Sequence, residues 1–132
     1  MKQITLAIFI IFISNCSSNK KENYEKGIIR YNKILDNFKN PNIDNGEKIF
    51  KKSCITCHLY GSGGATILND KISWKSKLET KSLQDIYINV LYGYAGSKGA
   101  MPIKGACLDC TDSDLVDVIS YIYNYNNLLI HH

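Results

Sequence analysis

Long apolar runs are almost absent from these 132 residues. The one present, Ile4 to Ile13, is about half of the ~20 residues that a bilayer-spanning helix needs, which argues against a membrane span. No segment alternates apolar and polar residues as a half-buried strand does. That removes the all-β classes, and with them the βαβ unit expected around a thioredoxin-like Cys-x-x-Cys. No internal repeat of useful length occurs. Charge of one sign is also scarce. Sixteen Lys and Arg against twelve Asp and Glu leave a formal net charge of +4, with the basic residues spread along the chain and acids among them. Such a chain has no general affinity for nucleic acid.

The apolar run does have a use. Lys2 precedes it and Ser14-Asn15-Cys16 closes it, the layout of an export signal. Ile13-Ser14-Asn15-Cys16 resembles a bacterial lipoprotein box, in which the cysteine becomes the acylated first residue. The cysteine count agrees. Of five cysteines, four form two Cys-x-x-Cys pairs, and Cys16 is left over. An unpaired thiol in an exported chain calls for an explanation, and acylation supplies one. The expected organisation is a signal peptide over 1–15, a lipid-anchored tether over 16–43, one domain over 44–127 and a tail over 128–132. The expected location is the periplasmic side of a bacterial membrane.

Helical periodicity organises the rest. Tyr24, Ile28, Tyr31, Leu35 and Phe38 are spaced 4, 3, 4, 3, one apolar stripe on a helix of three to four turns. The simpler reading packs this stripe on its own domain; the alternative is a surface for a partner or the membrane. Asn40-Pro41-Asn42 ends it. Asp44 or Asn45 can cap a second helix that runs directly into Cys54-Ile55-Thr56-Cys57-His58. Gly61, Gly63 and Gly64 make the next stretch a flexible loop. Ser82 caps a helix with Leu83, Ile86, Tyr87, Val90 and Leu91 on one face. Gly93, Gly96 and Gly99 open a loop leading to Met101-Pro102. Thr111 to Asp114 reads as a capping box, followed by a helix with Leu115, Val118, Ile119 and Ile122 inward. The fold class is all-α.

Cys54-x-x-Cys57-His58 carries the chemistry. Two thiols three residues apart on a helical turn can add to the two vinyl groups of one haem, and the next residue can swing its imidazole beneath the iron. Zinc is the competing reading of two Cys pairs. The second pair, Cys107 and Cys110, lies about fifty residues away, far beyond the usual finger gap, and export favours oxidation over a thiolate site. A second axial ligand must come from Met101, His131 or His132, or be missing. Methionine occurs twice, and Met1 leaves with the leader. Met101 sits between Ala100 and Pro102 in a glycine-bordered loop, where a core-filling methionine would be out of place. Its soft thioether favours ferrous iron, so His/Met ligation raises the reduction potential. Iron with both axial positions filled has no open site for a substrate, which argues against an enzyme. Loss of Lys2 brings the charge to +3, and two haem propionates bring it to about +1. The spread lysines are either a solvated surface or a docking ring around the haem edge.

Together these pieces resemble the class I cytochrome c fold, and within it the cytochrome c5 family. The resemblance covers about Asp44 to Tyr125. It rests on Gly46 and Phe50, Cys54-x-x-Cys57-His58, Trp74, Ala100-Met101-Pro102-x-Lys104-Gly105, and Cys107-Leu108-Asp109-Cys110 before the last helix. It implies helices packed around one covalent haem c, axial ligands His58 and Met101, and a disulfide between Cys107 and Cys110. It implies that Tyr121 crosses the first domain helix at Gly46, where the missing side chain admits an aromatic ring. It further implies a monomeric single-electron carrier serving membrane respiratory complexes, such as a quinol-oxidising complex and a terminal oxidase. Two readings from other classes stand beside it: a peroxidase-like or gas-binding haem, and a haem subunit docked permanently through the 24–38 helix. The chain departs from the family pattern at two places. Ile103 replaces a common proline. Ala65-Thr66 stands where a proline carbonyl usually accepts from the ligand imidazole; a Thr carbonyl can accept the same bond from a less rigid backbone.

Overall fold

Helix caps set the frame. The computed structural model describes residues 29, 30 and 32–128, and the chain divides into units at Lys33 and Ile34. Of the first unit, only 29, 30, 32 and 33 are described; they are helical and exposed. The second unit opens with the helical residues 34–39 (α1), where Ile34 and Phe38 are buried. Phe38 of the expected stripe is buried and Leu35 half-buried, and Ile34, outside that stripe, joins them. Tyr24, Ile28 and Tyr31 lie outside the described residues. Helix α2 (Ile43–Ile49) starts earlier than the expected caps. Asn42 is the N-cap, and its side chain accepts from the Asn45 N–H at 3.0 Å.

Helix α2 passes through a widened turn, Phe50–Cys54, closed by the bond from Ile55 N–H to Phe50 O, into α3 (Ile55–His58). Helices α4 (Lys71–Thr80) and α5 (Leu83–Tyr92) follow. Ser82 and Asp85 form a capping box on α5, and Ile86, Tyr87 and Leu91 are buried there, as the periodicity predicts. Strands β1 (Tyr94–Gly96) and β2 (Gly99–Met101) then pair antiparallel, with Tyr94 opposite Met101 and Gly96 opposite Gly99. Three-residue strands made largely of glycine and alanine offer no alternation to read, so this hairpin is a departure from the all-helical expectation.

Helix α6 (Asp112–Tyr125) has the predicted capping box of Thr111 and Asp114, and it buries Leu115, Val118, Ile119 and Ile122. It also buries Val116, Asp117, Ser120 and Tyr123, so the core surrounds most of it. Leu128, assigned above to the tail, belongs to the domain: it packs against the core. Asn127 turns the chain at φ +52°. The Asn127 N–H donates to Asn124 O and the Leu128 N–H to Tyr123 O, a helix-ending Schellman arrangement. Among the described residues, no helix is long and apolar enough to cross a membrane.

The pairing of α2 with α6 holds the two ends of the domain together. Asp117 is buried but satisfied: it accepts from Asn42 N–H at 2.9 Å and from Asn45 Nδ2 at 2.8 Å. The helix bearing Tyr121 crosses α2 at Gly46, as expected. A Cβ there would meet the Asp117 carbonyl carbon at 2.7 Å and Tyr121 Cβ at 2.8 Å. The Asp117 backbone and the Tyr121 Cβ fill the space, and the Tyr121 ring leans on Phe50 with centroids 5.6 Å apart. Gly46→Ala must therefore push two helices apart. A loss of about 1–3 kcal/mol is expected, read as a lower thermal midpoint by far-ultraviolet circular dichroism. An unchanged midpoint would show that the crossing has slack.

Candidate functional site

The widened turn and α3 bring Cys54, Cys57 and His58 onto one short stretch of helix. Cys54 is buried and Cys57 exposed. Burial, and then the neighbouring Cys57, push the Cys54 thiol up to about 11, so this sulfur is uncharged near neutral pH. A turn that presents one sulfur inward and one outward can grip a planar group at its edge from two points.

His58 is fixed by the loop that follows it. Its Nδ1 lies 2.8 Å from Thr66 O. A carbonyl can only accept, so Nδ1 carries the proton and Nε2 keeps its lone pair free to ligate. Burial lowers the His58 pKa; the Thr66 bond opposes that, and Lys77 adds to it. The imidazole is therefore neutral, as a ligand must be.

Thr66 is stiffer in its setting than the bare backbone predicts. Three consecutive carbonyls of this loop are occupied. Thr66 O takes His58, Ile67 O takes Trp74 Nε1 at 2.9 Å, and Leu68 O takes Asn126 Nδ2 at 2.7 Å. The Leu68 N–H returns to His58 O at 2.6 Å. Trp74 also packs on the imidazole, with ring centroids 5.7 Å apart. The rigidity that a proline would supply from within comes here from three partners on three elements. Trp74 stood out in the sequence as the lone tryptophan; Asn126 carried no signal, because its role depends wholly on where α6 ends.

Met101 closes β2 and is half-buried. Two glycines fix its place. A Cβ on Gly93 would meet Met101 O at 2.9 Å, and one on Gly105 would meet Met101 Cε at 3.4 Å and Cys54 Sγ at 3.7 Å. The methionine methyl and the Cys54 sulfur thus face the same bare point on the chain. Gly105 has φ +58°, flanked by Lys104 at +52° and Ala106 at +68°. Three successive positive torsions bend the chain tightly, and the Lys104 Nζ donates to Cys110 O at 2.6 Å across that bend.

A disulfide joins Cys107 and Cys110, with S–S 1.97 Å. Both sulfurs are buried, directly between this bend and the N-cap of α6. A loop of about four residues gives a modest chain-entropy gain of about 2 kcal/mol. Cys107→Ser with Cys110→Ser is expected to cost about that much in a denaturant titration. A cost near zero would leave the bridge with a local positioning role only.

The residues present fit haem c. They offer two thiols on one turn, an imidazole with its lone pair free, and a thioether beside the first thiol. The Tyr123 hydroxyl, buried without a protein partner among the described residues, lies on the ring that packs edge-on against Trp74 at 5.8 Å. Of the remaining sequence candidates, Cys16, His131 and His132 lie outside the described residues. Four of the described lysines pair with carboxylates: Lys39 with Asp36, Lys51 with Glu47, Lys52 with Asp109, and Lys75 with Glu79. Around Met101 lie the exposed apolar groups Tyr92, Tyr94 and Ile103, which border a shallow cleft of about 400 Å³ together with Met101 and Pro102. Lys81 Nζ stands 5.4 Å from the Tyr94 ring centroid, and exposed Lys98 lies in the turn between β1 and β2.

Comparison with known proteins gives a consistent set. Residues 41–122 match the family described as cytochrome C oxidase, cbb3-type, subunit III. Cytochrome c-555 of Chlorobaculum tepidum is 31% identical over 77 residues, 58% of this chain and 70% of that protein. Cytochrome c6 of Porphyra purpurea is 36% identical over 80 residues, 61% of this chain and 68% of that protein. Cytochrome c5 of Azotobacter vinelandii is 33% identical over 70 residues, 53% of this chain and 81% of that protein.

Proposed function

The chain belongs to the class I c-type cytochromes, and from that premise we propose that it is a single-electron carrier with one haem c. Cys54 and Cys57 would hold the haem as thioethers, and His58 and Met101 would ligate its iron. Haem c, when bound, supplies an iron that gains or loses one electron. The protein's part is to hold that iron still. His58 Nε2 presents a lone pair because Nδ1 is committed to Thr66 O. Met101 presents a thioether, which favours the ferrous state. With His58 and Met101 both on the iron, a bound haem would offer no open site to a substrate, which supports an electron carrier over an enzyme. The relatives are electron-transfer cytochromes, which supports the same reading.

The observation that carries the proposal is the fixed imidazole of His58 on the turn bearing both thiols. The remaining parts follow from the sequence: export, acylation at Cys16, and residence on the periplasmic side of a bacterial membrane. An acyl chain confines diffusion to a surface and raises the local concentration near membrane respiratory complexes. The exposed apolar groups near Met101, with Lys81 and Lys98 beside them, suit brief docking on a quinol-oxidising complex or a terminal oxidase. One experiment tests the whole: a pyridine haemochrome spectrum with intact mass, on protein matured in an export-competent host. One haem plus a diacylglyceryl mass on Cys16 is expected; colourless protein overturns the proposal.

A second reading has one observation in its favour. The family matched is described as an oxidase subunit, so the chain could be a resident haem subunit rather than a shuttle. Mild detergent extraction separates the two. A shuttle elutes alone at the size of a monomer, and a subunit elutes with its complex.

A further inference from the structure

The hairpin that carries Met101 has little to hold it. Every residue of β1 and β2 is exposed except the half-buried Met101, and an isolated two-stranded hairpin is marginal in water. Side-chain burial therefore does not explain its position. Backbone does. A Cβ on Gly64 would collide with the carbonyl of Lys98, and a Cβ on Gly99 would collide with the carbonyl of Gly63. The approach is reciprocal: each segment sets a carbonyl against the bare Cα of a glycine in the other. Both glycines lie at positive φ, +79° and +151°. One segment ends the loop that leads within two residues to Thr66, the acceptor of His58. The other begins β2, two residues before Met101.

We infer that this glycine seam, Gly63-Gly64 against Lys98-Gly99, positions Met101 relative to His58 and so sets how firmly the thioether stays on the iron. Gly64 and Gly99 are positioning residues; neither touches the haem iron. The inference rests on the His58/Met101 reading above. It predicts that prising the seam open weakens only the methionine side, because His58 remains held by Thr66, Trp74 and Leu68.

Imidazole competition on the matured ferric holoprotein tests it, since added imidazole displaces a weakly held methionine. Gly64→Ala and Gly99→Ala are each expected to bind imidazole about tenfold tighter than wild type, with haem content and far-ultraviolet spectrum unchanged. Gly63→Ala is the control. Gly63 has φ +62° but open space around its Cβ, so it shares the left-handed torsion of Gly64 without the collision. It is expected to stay within about twofold of wild type. Wild-type affinity in both seam variants overturns the inference, and so does an equal shift in Gly63→Ala.

Should the seam variants fail to mature, hydrogen exchange on wild type decides. Saturating imidazole is expected to speed exchange at 61–66 together with 97–101. Loosening of 97–101 alone overturns the seam. A wild-type protein without the far-red charge-transfer band of methionine-ligated ferric haem overturns the Met101 reading itself, and the inference with it. A wild type with that band and indifferent seam variants overturns the inference only.

Discussion

Cys54→Ser combined with Cys57→Ser is expected to release essentially all haem into acid acetone, where the wild type retains it. The reason is covalent. The domain is small, and its buried core gathers side chains from α1, the widened turn, α4 and α5 around α6. Thioether bonds hold the haem irrespective of how completely such a domain wraps it. With both sulfurs gone, retention depends on His58, Met101 and apolar contact, and acid protonates the imidazole. The two single variants should differ. Cys54 is buried and Cys57 exposed, so Cys54→Ser also places a hydroxyl in the core and costs about 1–2 kcal/mol more stability. Each single variant keeps one thioether and should show a haemochrome band shifted toward that of a haem with one vinyl group. Full retention of haem by the double variant would remove covalent attachment from the account.

Met101→Ala is the second large effect. The ferric protein should lose its far-red charge-transfer band, and the ferrous protein should gain ready binding of carbon monoxide. The reduction potential should fall by on the order of 0.1 V or more, part of the roughly 0.8 V range that axial ligands command. The sign follows from softness: thioether sulfur stabilises ferrous iron, and its loss favours the ferric state. Neither Cys54 nor His58 moves in this variant, so haem content should hold. Ready carbon monoxide binding by the unaltered ferrous protein would point to the gas-binding or peroxidase-like reading, because it would mean that the sixth position is open.

The sequence was most informative where function depends on neighbours along the chain. Cys54-x-x-Cys57-His58 is local by necessity, since two vinyl groups on one ring must be met from one turn. Ser82 and Thr111 were legible as caps for the same reason: a cap and its N3 partner lie three residues apart. The inward faces of α5 and α6 follow from a period of 3.6. The family resemblance pointed to Ala65-Thr66 as the place of the His58 acceptor, and the structure assigns it to Thr66 O. Helix α4 was not legible, because Lys71–Thr80 buries Trp74 alone and has no apolar stripe; Asp70 as N-cap and Trp74 as anchor hold it.

What the amino-acid order settled by itself was the chemistry on offer: two thiols, an imidazole and a thioether, with helices to bear them. Only the tertiary structure decided how these groups are held. The Asp117 grip on Asn42 and Asn45, the Gly46 crossing, the three occupied carbonyls after His58 and the glycine seam beside Met101 all join residues far apart in the chain. Most of these contacts involve backbone atoms, which every residue carries alike, so a sequence records them at most as a glycine whose missing side chain leaves room for another segment.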